Sequence, residues 1–103
     1  MAFQIVRVAG QSMEPKYRSG DYLLVWTLKR LFKPKAGDAI LFKHARHGLM
    51  VKLVESRGAD GRYAVRGLHP LSSETRTLGL IPEDDVIGKV ALCFRGKPKR
   101  PLR

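Results

Sequence analysis

The stretch Leu49–Glu55, LMVKLVE, decides how this chain is to be read. In an extended strand, successive side chains point to opposite faces. Leu49, Val51 and Leu53 then share one face, and Met50, Lys52 and Val54 share the other. Both faces are apolar except at Lys52. An ammonium in that setting must snorkel out to water, find a partner, or lose its proton, because burying an unpaired charge is costly. A neutral buried amine is a general base. Lys52 therefore poses a chemical question as well as a structural one.

Outward from this stretch, short apolar runs alternate with glycine-containing turns, the pattern of a mainly β domain. Phe3–Val8 reads as the first strand, and Gly20-Asp21 turns the chain into Tyr22–Trp26. Gly37-Asp38 opens a strand over Ala39–Lys43, HARHG (44–48) makes a hairpin tip, and Leu49–Glu55 returns. Asp60-Gly61 marks the next turn, before Tyr63–Arg66. After an irregular stretch to Pro82, Val86–Phe94 closes the domain. No long segment carries a helical period, and no internal repeat or linker divides the chain.

At 103 residues, 44% of them hydrophobic, the chain is expected to form a single domain with a real core. We place that domain at residues 1–94, with 95–103 (RGKPKRPLR) as a basic, flexible tail. No run of about 18 uncharged apolar residues is present, so no membrane-spanning helix is expected. The opening MAFQIVRVAG lacks the basic leader of a signal peptide. A cytoplasmic protein is the expectation. The lone Cys93 excludes an internal disulfide framework and CxxC metal knuckles, and its strand context suggests a buried, inert thiol. Twenty Lys and Arg against nine Asp and Glu give a formal net charge of +11, which favours an anionic partner.

A base needs a nucleophile to serve. Ser12 sits in VAGQSMEPKYRSGDYLLV (8–25), framed by glycine, methionine and proline. Those residue types suit a turn, yet a serine hydroxyl beside a neutral lysine becomes a nucleophile. Ser12 and Lys52 are distant in sequence, and spacing alone cannot join them.

Five blocks in order, GQSMEP (10–15), SGDYLLV (19–25), AGDAILF (36–42), LMVKLVE (49–55) and GLHPLSSETRTLGLIPEDDVIGKV (67–90), resemble the signal peptidase I family and the related LexA-type self-cleaving repressors. The resemblance spans roughly Val6 to Val90. It implies a LexA/signal-peptidase-like fold of coiled antiparallel β-sheets, with Ser12 as nucleophile and Lys52 as general base. By the same resemblance, Met13 and Pro15 shape the nucleophile loop, and the Ser12 N–H helps bind the oxyanion. Gly10 stands where some signal peptidases carry a second oxyanion donor. Ser72 matches the serine that steadies the lysine, and Glu74 and Arg76 match a supporting acidic–basic pair. The block is altered at Leu68-His69, and Leu53 replaces the usual arginine after the catalytic lysine.

The resemblance further implies a polypeptide substrate held as an extended strand, small side chains beside the scissile bond, and no cofactor. Without an anchor or a preceding DNA-binding domain, neither an ordinary preprotein signal peptidase nor a complete repressor is expected. Ala9-Gly10, an Ala-Gly pair of the kind such repressors cut, lies too close to Ser12 to reach an active site. The chain is similar in form to small soluble maturation peptidases, including those that trim the leader of nickel-containing superoxide dismutase. It would cleave a leader or pro-segment.

Two rivals stand beside this reading. His44, His47 and His69 lack the carboxylate or cysteine spacing of a zinc site, so no metal is expected. A basic nucleic-acid-binding β module would account for the charge and for Trp26, Phe32 and Phe42 among cations. No nucleic-acid motif is legible, however, and that module leaves Lys52 and the Ser-Met-x-Pro block unexplained. No stable nucleic-acid partner is expected. Peripheral contact of the basic loop 27–35 and the tail with an anionic membrane surface stays open, as does the oligomeric state.

Overall fold

The computed structural model describes residues 2–9, 13–14, 16–27, 33–68 and 78–95. Within them run six strands: β1 (Phe3–Arg7), β2 (Tyr22–Trp26), β3 (Ala39–His44), β4 (Gly48–Arg57), β5 (Tyr63–Arg66) and β6 (Val86–Phe94). A 3-10 turn, Glu83–Asp85, leads into β6. All pairings are antiparallel, and the strands form one sheet in the order β1-β2-β6-β3-β4-β5. The mainly β expectation holds, as a single curled sheet. Three strands match their expected bounds; β1 ends one residue earlier and β3 one later. β4 is longer at both ends, because Gly48 pairs with His44 of β3 and Ser56 and Arg57 pair with β5.

The two Gly-Asp pairs build the same turn twice. In each, an aspartate N–H donates to the carbonyl three residues back, Asp21 to Arg18 and Asp38 to Lys35, both at 2.9 Å. Each aspartate carboxylate then accepts the N–H of that same residue, again at 2.9 Å. Gly20 and Gly37 occupy the third turn position with φ of +96° and +94°, which a side chain would resist. These closed turns set the entry of β2 and β3.

Strand β6 joins the halves. It pairs with β2 on one side and β3 on the other, with a register shift in each pairing. Such bulges bend the strand and increase its twist. The result is a sheet that curls. Val6 and Val8, at the β1 edge, and Met50 and Val51, on β4, line one cavity although three strands separate β1 from β4 in the sheet. One apolar cluster fills the inside of this curl, with Leu23, Val25, Ala39, Leu41 and Leu53 buried together with Met13. A second lies across the sheet, where Ile40, Phe42, Val54, Val65 and Val86 are covered by Leu78 and Ile81.

Where β6 crosses β2 there is no room for a side chain. A methyl group on Gly88 would collide with the Trp26 carbonyl oxygen and lie 2.7 Å from Val25 Cγ1. Backbone cannot rotate away as a side chain can. Gly88→Ala should therefore destabilise the fold by about 1–3 kcal/mol. Thermal unfolding should show a midpoint lowered by roughly 5 °C or more. An unchanged midpoint would mean that β2 and β6 do not approach so closely.

Candidate active site

A cavity of about 340 Å³ opens where the curl brings β1 towards β4. Val6 and Val8 form one wall, and Leu49–Val51 form the other. Its floor comes from Leu23 and Leu41 on the central strands, with Met13 and Tyr17 between β1 and β2 completing it. These side chains come together because β1 and β2 turn alternate residues inwards. Tyr17 is buried, which pushes its phenol pKa up and keeps it neutral.

Lys52 follows this lining run directly along β4. It is 1% exposed, as buried as the core valines. Its register partner is Ile40 on β3, and Met50 and Val54 are its neighbours on the same face of β4. Among the described residues, no carboxylate forms an ion pair with it. Burial disfavours the ammonium and lowers the Lys52 pKa from the ordinary lysine value. Snorkelling to water, one of the three outcomes the sequence allowed, does not occur.

The loop between β1 and β2 is held from both ends. Its Tyr17 N–H donates to the Met13 carbonyl at 3.0 Å, while Val8 and Gly20 join the loop ends through backbone hydrogen bonds to Asp21 and Val8 carbonyls. Asp21 is 3% exposed and anchors the base of the loop. Its carboxylate accepts from Arg95 Nη1 at 2.6 Å as well as from the Arg18 N–H. The Cys93 thiol also points at it, at 3.6 Å. Burial, and then this carboxylate, raise the Cys93 pKa, so the half-buried cysteine stays a thiol.

Of the residues that the resemblance assigns to the dyad and its support, Met13 and Lys52 are described. Met13 is in the cavity wall, and Lys52 is beside the opposite wall. Gly10, Ser12, Pro15, His69, Ser72, Glu74 and Arg76 lie outside the described residues. Ala9 and Met13, the nearest described residues flanking Ser12, both line the cavity. His44 is half-buried, with Nε2 3.1 Å from the Leu78 carbonyl oxygen and Nδ1 accepting the Arg46 N–H. Its role is to tie the hairpin tip to the segment that covers the second cluster. His47 is exposed. Among the described residues, no three His, Cys, Asp or Glu side chains gather as a metal site.

Two residues escaped the sequence reading. Tyr17 was not legible as a cavity residue because nothing in EPKYRSG marks one face of the loop as inward. Asp21 was legible as a turn residue only. Its link to Arg95 joins positions 74 residues apart, and no local pattern encodes that.

A family model described as Peptidase S24-like matches residues 2–91, nearly the whole chain. No curated protein matches it. Among the described residues, no helix is long and apolar enough to cross a membrane.

The burial of Lys52 has a measurable consequence for stability. Unfolded, the lysine keeps its proton up to about pH 10.4; folded, it releases it earlier. Between the two pKa values the unfolded state binds more protons, so this group makes stability rise with pH. Lys52→Met keeps the volume and removes the effect. The variant should be more stable than wild type, with the gap widest at low pH and closing towards pH 10. Comparing the two by urea unfolding across pH cancels the other titrating groups. A pH-independent gap would place the ammonium in water.

Proposed function

The chain belongs to the Peptidase S24-like family, and from that premise we propose that it is a serine endopeptidase in which Ser12 and Lys52 act as a dyad. The observation that carries this reading is Lys52 itself. It is a buried amine with a lowered pKa, next along β4 to a cavity whose opposite side holds the residues that flank Ser12. A lysine that only filled space would cost stability that methionine would not.

The chemistry follows from those roles. Ser12 Oγ attacks the scissile carbonyl carbon while neutral Lys52 accepts the hydroxyl proton. The carbonyl oxygen gains the negative charge, and backbone N–H donors at the nucleophile loop bind it. When the C–N bond breaks, the Lys52 ammonium returns its proton to the departing amine and leaves an ester on Ser12. Lys52 then deprotonates a water that attacks the ester, and as the bond to Ser12 Oγ breaks it passes that proton to Oγ and the second product leaves. Each cycle restores the neutral amine.

The substrate is a polypeptide in extended form. The cavity is lined mainly by valine, leucine and methionine, with Arg7 and Tyr17 among them, and suits the apolar side chains of a peptide strand. Removal of a leader or pro-segment from another protein is the form of proteolysis proposed. Ser72, Glu74 and Arg76 are proposed to support the lysine, and Met13 and Pro15 to shape the nucleophile loop.

Peptide-library digestion read by mass spectrometry tests the assignment. Wild type should release products, and Ser12→Ala should cut by about a thousandfold less or lower. Lys52→Arg keeps the charge but offers no neutral base near pH 7, and should lose about a hundredfold or more. Wild-type rate should rise with pH as Lys52 loses its proton, and level off below the ordinary lysine pKa. Substantial cleavage by Lys52→Arg would remove Lys52 from the role of base. Unchanged cleavage by Ser12→Ala would remove the serine mechanism.

A further inference from the structure

The outer face of β1, β2 and β6 is an open apolar surface. Register places its side chains in three rows. Ile5, Leu24 and Leu92 form the middle row; Phe3 and Trp26 end in Lys89 on one side of it; Arg7, Tyr22 and Phe94 lie on the other. Ile5 is 64% exposed, Leu92 54% and Phe94 50%. Phe3 meets the Trp26 ring edge-on at 4.5 Å, and a groove of about 400 Å³ lies between them and Lys89. On the β3–β4–β5 half, the same face is covered by Leu78 and Ile81. The exposed half is therefore an uncovered continuation of a core surface. A patch of this kind marks an interaction site.

We propose that this face docks on an anionic lipid bilayer. Charge selects the occupant. None of the nine positions in the three rows is acidic, and the two charged ones, Arg7 and Lys89, stand at opposite corners, Lys89 paired with Asp38 at 3.6 Å. Arg7 lies across the Tyr22 ring, 5.6 Å from its centre. The chain leaving Phe94 reads RGKPKRPLR, and the chain leaving Trp26 reads TLKRLFKPK, so basic sequence follows the patch at both ends. Apolar and aromatic side chains framed by Lys and Arg match the boundary between acyl chains and negative headgroups. A second copy of the chain fits poorly, because each carries a net charge of +11. Nucleic acid would use the aromatic rings but not Ile5, Leu24 and Leu92. The docked face leaves most of the cavity free, because Val6 and Val8 point to the other side of the sheet from Phe3 and Ile5; of the nine patch positions only Arg7 also lines the cavity.

Trp26 is the sole tryptophan and lies in the patch, so it reports directly. The full chain is titrated with vesicles of phosphatidylcholine alone and of four parts phosphatidylcholine to one part phosphatidylserine. Emission and co-sedimentation are followed. The anionic vesicles should shift Trp26 emission to the blue and pellet the protein, while the neutral ones bind at least about tenfold more weakly. Ile5→Ser with Leu92→Ser, at two exposed positions that leave the core intact, should weaken binding to anionic vesicles by about tenfold. The unfolding midpoint checks that this variant is folded. Phe94→Ser, tested alone, should give a smaller loss in the same direction. Equal binding by wild type and the folded double variant would overturn the proposal and leave the basic segments as the only attraction. No vesicle binding would overturn it as well. A lipid-free dimer that the double variant abolishes would assign the face to a second copy, and quenching by single-stranded DNA without vesicle binding would assign it to nucleic acid. Peptide cleavage enters none of these readouts, so the result stands apart from the dyad.

Discussion

Strand β6 is the constraint on which the sheet depends. It is last among the strands in sequence, yet it sits third in the sheet, between β2 and β3. Before it pairs, β1 with β2 and the β3–β4–β5 meander are two pieces with nothing between them. Both contacts are long-range, so the entropy of closing the chain must be met before either ladder forms. Gly88 lets the crossing happen, because β6 meets the β2 backbone there too closely for any side chain. Register shifts on both flanks of β6 then bend the sheet far enough for β1 to face β4.

That curvature makes the cavity and sets the environment of Lys52. A flat six-stranded sheet would hold β1 and β4 four strand spacings apart, about 19 Å, with no shared concave wall. Curling also encloses apolar side chains on both faces of β4, so a lysine in its middle has no route to water. The lowered pKa of Lys52 is thus a property of the sheet as a whole. Asp21 makes a similar link on the other wall. It ties the loop after Met13 to Arg95 beyond β6, so the end of the last strand helps hold the loop at the cavity.

The two faces of the β1–β2–β6 half carry different surfaces. Leu23 and Val25 point into the curl and support the cavity, while Tyr22, Leu24 and Trp26 of the same strand point out. Both sets are apolar, because the strand is apolar throughout. Inward residues are covered by the loop and by β4; outward ones are exposed at Tyr22 and half-buried at Leu24 and Trp26. The cavity and the outward patch therefore lie on opposite sides of three short strands, with Arg7 common to both.

Much of the fold was legible in local pattern. Tyr22–Trp26, Tyr63–Arg66 and Val86–Phe94 have the bounds that apolar runs and flanking turns indicate, because strand propensity and turn chemistry act over a few residues. The face assignment in LMVKLVE also needed only the period of two, and it marked Lys52 as anomalous. Tertiary structure alone decided what became of that lysine, since burial depends on β3, on the covering segment and on the curl together. It likewise decided which face of YLLVW is bare, because five consecutive apolar residues carry no alternation to choose a side. The Asp21–Arg95 pair and the contact of Gly88 with Trp26 were beyond any local reading. Each joins segments far apart in the chain, and chain neighbours do not encode which distant backbone will arrive.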